Sequence, residues 1–110
     1  MSKEQYKTLI SQKHLLSELA QPKSPYRIAI LKKAQPQLIL AICESIYNII
    51  EGRVPISTDQ KEKLKKYKII LRKLVQKNKL KYKKKLLVQS GGFLSVILPT
   101  VLSLISSLFP

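Results

Sequence analysis

Apolar residues recur along most of this chain at spacings of three and four positions, the repeat of a helix with one buried face. The clearest stripe consists of Leu38, Ile42, Ile46 and Ile49. Three more apolar residues broaden it on one side: Ile39, Cys43 and Ile50. Pro36 suits the first position of a helix and Gly52 suits its end, so the pattern predicts a core helix between them.

Four further segments carry a helical signal. Residues 3–20 predict a first helix and residues 26–34 a short second one. Residues 57 to about 77 predict a sharply two-sided helix, and residues 79–89 another short one. No alternation typical of strands stands out. The sequence therefore predicts an all-α fold, a small bundle of four or five helices with a basic amphipathic helix and a C-terminal apolar tail helix.

The stretch from Phe93 to Pro110 carries no charge, and as a helix it separates hydroxyl and apolar side chains onto two sides. The apolar residues predicted to contact a membrane or a partner are Leu94, Ile97, Leu98, Val101, Leu102, Ile105, Leu108 and Phe109. A straight helix of this length reaches about 27 Å, the short end of a membrane span. Such a tail suits a membrane interface, self-association into an oligomer or a groove on another protein. The same pattern is produced by a helix that packs back on the chain as core.

Charge divides the chain unevenly. Of the formal net charge of +15 over 110 residues, residues 61–90 supply +12 from 13 basic and 1 acidic side chains, and residues 91–110 supply none. The chain is therefore divided into an N-terminal helical region (1–56), a lysine-rich amphipathic helical region (57–90) and a Gly-Gly junction with the apolar tail (91–110).

The lysine-rich region predicts a polyanionic partner, either nucleic acid or an anionic membrane surface. The residues predicted to bind nucleic acid are Lys61, Lys65, Lys66, Lys68, Arg72, Lys73, Lys77, Lys81, Lys83, Lys84 and Lys85. Lysine lacks the bidentate fork with which arginine reads guanine, so we expect contacts to the phosphate backbone without sequence readout. The simpler alternative is a solvated helix face.

The sequence contains no recognisable spacing of residues that would bring a set of catalytic side chains together. His14 is the single histidine, and no paired carboxylates, nucleophile–base pair or metal-ligand cluster can be recognised. Cys43 is the single cysteine, which excludes a disulfide within one chain and suits a buried filler. We expect a protein that is not an enzyme and needs no cofactor or metal.

Several short segments occur here in an order that resembles a known family. They are Ile42-Cys43-Glu44, Tyr47-Asn48-Ile49, Gly52-Arg53-Val54-Pro55, the basic region Lys61–Lys85 and Gly91-Gly92-Phe93-Leu94. Over about residues 28–110 the chain resembles the small basic virion core proteins of adenovirus-like elements, the Maverick/Polinton and adintovirus group. The basic run, glycine pair and apolar tail are also similar to the precursor of the adenovirus minor core protein X.

This resemblance implies a protein that condenses double-stranded DNA in a virion core and in the host nucleus. It also implies a capsid contact for the tail and a viral maturation protease that cleaves at Gly91, Gly92 and Phe93, after the second glycine. The rival interpretation is a membrane-active protein whose tail inserts while its lysines hold anionic lipid. A third interpretation is a helical adaptor protein whose tail packs as part of the hydrophobic core.

Overall fold

The computed structural model describes residues 3–108, with side chains described for residues 3–103, and this part of the chain is all-α without strands. The helices are α1 (Lys3–Ser11), α2 (Lys13–Leu19), α3 (Arg27–Lys33), α4 (Pro36–Ile50), α5 (Thr58–Lys65), α6 (Lys68–Val75), α7 (Leu80–Ser90) and α8 (Leu94–Leu108). A 3₁₀ turn over Gly91–Phe93 joins α7 to α8. The predicted all-α bundle is confirmed.

Two of the predicted helices are each broken into two segments, so the described residues form eight helices where five helical segments and the tail helix were predicted. Gln12 separates α1 from α2 with φ −104° and ψ 22°. Tyr67 separates α5 from α6 with φ −103° and ψ 9°, and its N–H bonds to the carbonyl of Leu64, three residues back. Neither break contains the proline or glycine that usually marks one.

Helix α4 lies at the centre and packs against α1, α6 and α7. Its predicted stripe is buried, with Ile42 and Ile46 fully enclosed, whereas Ile50 at its end is 44% exposed. The helix ends at Ile50, two residues before the predicted stop at Gly52, whose φ of +76° is a conformation that favours glycine. The N–H of Gly52 bonds to the carbonyl of Ile49 and that of Arg53 to the carbonyl of Asn48, the two bonds of a Schellman motif.

The apolar tail is part of the core in this folded chain. Helix α8 packs against α2, α5 and α1, and Phe93 and Leu98 are fully buried. Tyr67 meets the Phe93 ring edge-on, with ring centroids 5.7 Å apart. The regions 1–56, 57–90 and 91–110 all contribute to one hydrophobic cluster. The radius of gyration of 12.7 Å is close to the value of about 13 Å expected for a domain of this length.

Candidate nucleic-acid interface

The basic side chains of α5, α6 and α7 lie on the outside of the bundle because apolar residues hold the opposite side of each helix. Leu64, Leu71 and Leu74 are buried against the core. Between Lys61 and Lys85, eleven of the thirteen basic residues are exposed. The predicted nucleic-acid-binding residues among them are Lys61, Lys65, Lys66, Lys68, Arg72, Lys73, Lys77, Lys81 and Lys85.

Lys83 and Lys84 differ from the other predicted contacts because both are half-buried. The Lys84 ammonium donates a hydrogen bond to the carbonyl oxygen of Ala34 at 3.2 Å, at the C-terminal end of α3. A cation at this end of a helix is favoured by the helix dipole. Lys83 lines a small pocket together with Cys43 and Glu44 of α4. Lys84 therefore helps to hold α7 against α3, and Lys83 places its charge beside α4.

Acidic side chains neutralise little of this surface. Among the residues whose side chains are described, the one ion pair joins Lys65 to Glu62 at 2.8 Å, and both side chains are largely exposed. An exposed pair of this kind stabilises a protein by at most about 1 kcal/mol. Lys66 lies over the ring of Tyr67 at 5.2 Å. The positive charge of α5 and α6 thus remains available to an external polyanion.

A groove of about 630 Å³ lies between the end of α4, the link that follows it and helices α5 and α6. We call it the cationic groove. Its apolar floor consists of Ile49, Ile50, Val54, Pro55, Ile56, Leu64 and Leu71. Its wall carries the cations Lys61, Lys65, Lys68 and Arg72. Sequence reasoning missed the groove because two separate segments build it; the apolar link Val54-Pro55-Ile56 was the signal that could have indicated it.

The residues predicted to be cleaved lie in the 3₁₀ turn between α7 and α8. Gly91 and Phe93 are buried and Gly92 is half-buried. A Cβ atom at Gly92 would lie 3.2 Å from the Tyr67 hydroxyl oxygen. Proteases usually cut exposed loop tips, so cleavage after Gly92 requires this turn to open first.

Four of the five residues predicted to contact a membrane or partner whose side chains the structure describes are buried. Leu94, Ile97, Leu98 and Val101 are buried and Leu102 is half-buried. The side chains of Ile105 and Leu108, and the whole of Phe109, lie outside the described part of the chain. Contact through the four buried residues requires α8 to leave the core.

One helical stretch, Leu80–Ser103, is long and apolar enough to cross a membrane by length and composition. Core helices meet the same criterion, and the buried residues of α8 fall within this stretch. The length of the stretch therefore supports membrane contact only weakly.

Cys43 lies on the buried face of α4. Burial in the core raises the pKa of its thiol from 9.0 to about 11, partly offset by nearby Lys83 and reinforced by Glu44. The predicted buried position of Cys43 is confirmed. Over the part of the chain that the structure describes, no three His, Cys, Asp or Glu residues are grouped to hold a metal ion. His14 is exposed on α2.

Comparisons with known proteins add no relative to this picture. No protein-family model, curated protein or solved structure matches the chain.

Proposed function

We propose that this protein binds duplex DNA without sequence preference and condenses it, as a non-enzymatic component of a virion core. The exposed charge of α5–α7 carries the proposal. Thirteen basic residues between Lys61 and Lys85 are accompanied by one acid, Glu62, and eleven of them are exposed. Each phosphate that such side chains neutralise releases condensed counterions, which supplies most of the free energy of non-specific DNA binding.

The composition of the surface favours backbone contacts over base contacts. Arg72 is the single arginine among the thirteen basic residues of this region. Lysine ammonium groups act as point charges toward phosphate and do not present the planar fork that pairs with guanine. The expected complex is therefore held by charge and tolerates any duplex sequence.

Burial of the tail favours DNA over lipid as the ligand of the folded chain. The lysines on α5 and α6 are exposed as the protein stands, so a phosphate backbone can reach them without a conformational change. Insertion into a bilayer would instead require buried residues such as Phe93 and Leu98 to leave the core. The free energy of that opening has to be recovered from the membrane.

The resemblance to the core proteins of adenovirus-like elements supports the wider setting. It implies a location in the virion core and the host nucleus, with a capsid protein and a maturation protease as further partners. In this setting the protease acts on a chain whose 3₁₀ turn has opened, because the bond after Gly92 precedes the buried Phe93.

The test is binding of the full chain to duplexes of unrelated sequence across a range of salt concentrations. The full chain is needed because α8 contributes to the core. We expect similar affinities for all duplexes and a linear fall of log K with log salt, with a slope of about −0.9 per phosphate neutralised. Weak binding that salt barely changes would show that the lysine surface is only solvated and would reject the proposal.

A membrane-active role is the second candidate, and the apolar length of Leu80–Ser103 is the observation that favours it. Changing Lys65, Lys66, Lys73 and Lys77 together to glutamine separates the two roles. If the protein packages DNA, this variant should lose DNA binding but should still cause anionic liposomes to leak as much as the wild type does. A membrane-active protein predicts that lipid binding and leakage both fall.

A further inference from the structure

We propose that the cationic groove binds an acidic, amphipathic helical segment of a partner protein. This interaction goes beyond DNA binding and does not depend on it, although the two ligands would compete for the four cations of the wall. The groove combines an apolar floor with a wall of one charge sign, so it matches a ligand that has both an apolar stripe and acidic groups.

The floor offers apolar surface that a phosphate backbone cannot cover. Ile50 is 44% exposed there, and Val54 and Ile56 are half-buried. Leu64 and Leu71 close the bottom of the groove and are nearly inaccessible. A ligand that removes this floor from water gains free energy in proportion to the apolar area that it covers. Duplex DNA presents mainly phosphates and sugars, whereas a peptide presents side chains that fit the floor.

The wall supplies a row of positive charge. Lys61, Lys65, Lys68 and Arg72 follow one another at intervals of four, three and four residues, and no acidic residue lines the groove. Among these four cations, Lys65 forms an ion pair, with Glu62, and that pair is exposed. Several carboxylates along one side of a partner helix would meet these cations. The charge pattern therefore complements an acidic helix that lies against α5 and α6.

Two other occupants fit the same surface less well. An anionic lipid carries its charge at one end of its acyl chains, whereas the four cations are divided between two helices, α5 and α6. A second copy of this chain brings a net charge of +15 and only six acidic residues. Those six residues are spread from Glu4 to Glu62 and form no acidic helix, so like-charge repulsion opposes self-association at this wall.

The experiment measures binding of the full chain to a synthetic helical peptide of about 16 residues. The peptide has a leucine stripe flanked by glutamates at i, i+4, i+7 and i+11, and a second peptide has glutamine in place of each glutamate. Ile50→Ser probes the floor, and its matched control is Leu40→Ser, which changes a residue on the same helix that is 45% exposed but outside the groove. Thermal unfolding of each variant checks that it is folded.

The charge test uses two double variants that each remove two positive charges. Lys68→Gln with Arg72→Gln changes the wall, whereas Lys73→Gln with Lys77→Gln changes exposed residues outside the groove. We expect Ile50→Ser and the wall variant each to weaken peptide binding about tenfold and the two controls to change it less than about twofold. The glutamine peptide should bind weakly to every form.

Three results would overturn the proposal. Equal losses with the two double variants and no loss with Ile50→Ser would mean that overall charge holds the peptide. Absence of peptide binding to the wild type would leave the groove without this ligand. The third result is that Ile50→Ser weakens binding to vesicles of anionic phospholipid but leaves peptide binding unchanged. The groove would then be a lipid site instead. Duplex binding is measured in parallel, and its failure alone would reject only the DNA proposal.

Discussion

Gln60 donates a hydrogen bond from Nε2 to the Oγ1 atom of Thr100 at 2.9 Å, and so ties the first turn of α5 to α8 across forty residues of sequence. The same side chain accepts a hydrogen bond at Oε1 from the N–H of Ser57 at 2.8 Å. The Ser57 hydroxyl in turn accepts from the N–H of Gln60 at 3.1 Å, which completes a capping box. One glutamine therefore begins the lysine-rich region and attaches it to the tail.

Gln60→Ala removes both contacts of this side chain. We expect it to lower the free energy of unfolding by about 1–2 kcal/mol, since the helix cap and the bond to Thr100 are lost together. Gln60→Glu should cost much less, because a carboxylate still accepts from Ser57 and the Thr100 hydroxyl can donate to it. Urea unfolding of both variants measures the difference; equal losses would mean that the side-chain oxygen contributes nothing here.

Leu98 probes the tail's contribution to the core. Leu98→Ala empties a fully buried position, so we expect the free energy of unfolding to fall by about 2–5 kcal/mol. Leu40→Ala is the control, because that residue is 45% exposed and should change stability by about 0.5 kcal/mol or less. Deletion of residues 93–110 should abolish cooperative thermal unfolding. A deletion variant that still unfolds cooperatively would show that the tail is dispensable for the fold.

The glycine pair is expected to be coupled to Tyr67. A methyl group at Gly92 would lie 3.2 Å from the Tyr67 hydroxyl oxygen, so Gly92→Ala forces that ring to move. In a Tyr67→Phe background the hydroxyl is gone, and the same substitution should be more favourable by about 0.5–1 kcal/mol. A double-mutant cycle of unfolding free energies measures this coupling. A coupling energy of zero would place the two residues farther apart than described.

The Cys43 thiol should be protected by the fold. Because burial raises its pKa to about 11, little thiolate is present at pH 8 and the thiol should react with a disulfide reagent only as fast as the protein opens. The reaction should become rapid in denaturant. Because the folded protein favours the neutral thiol, the raised pKa also contributes to the free energy of unfolding. This contribution is fully present below pH 9 and is lost as the pH rises toward 11. Cys43→Ala should therefore lose less stability between pH 9 and pH 11 than the wild type does. If the free energy of unfolding of the variant varies with pH as in the wild type, the raised pKa is contradicted.

Arg72 distinguishes backbone binding from base readout. Since backbone binding needs only charge, Arg72→Lys should keep duplex affinity within about twofold, and Arg72→Gln should reduce the magnitude of the salt slope by about 0.9. Fluorescence anisotropy at several salt concentrations measures both quantities. A marked loss with Arg72→Lys, confined to particular duplex sequences, would indicate that the guanidinium reads bases.

The hydrophobic pattern predicted the helices and most of their buried faces, because burial on one side is what produces the pattern. It did not predict the breaks at Gln12 and Tyr67, where packing interrupts a helix without proline or glycine. Nor did it show that Ile50 would be exposed while its neighbour Ile49 is buried.

The location of the tail could not be decided from sequence. A residue such as Leu98 meets the same pattern whether its helix lies in a membrane or in a core, and its burial depends on partners far away in the chain. Of the eleven exposed basic residues between Lys61 and Lys85, the sequence predicted nine as part of the basic surface and missed Lys63 and Lys79; it also did not show that Lys83 and Lys84 are half-buried. The cationic groove depends on the packing of residues 49–56 against residues 61–72, and the sequence offers only the apolar link Val54-Pro55-Ile56 as a signal for it.

The 3₁₀ turn over Gly91–Phe93 leaves no slack between the lysine-rich region and the tail. Three residues at about 2 Å of rise span only about 6 Å, so α8 is not tethered to α7 by a flexible arm. To swing outward, α8 has to pivot at this turn, and Phe93 at the pivot is fully buried. A rotation of α7 therefore moves Phe93 and the start of α8 with it, and so disturbs the packing of the core.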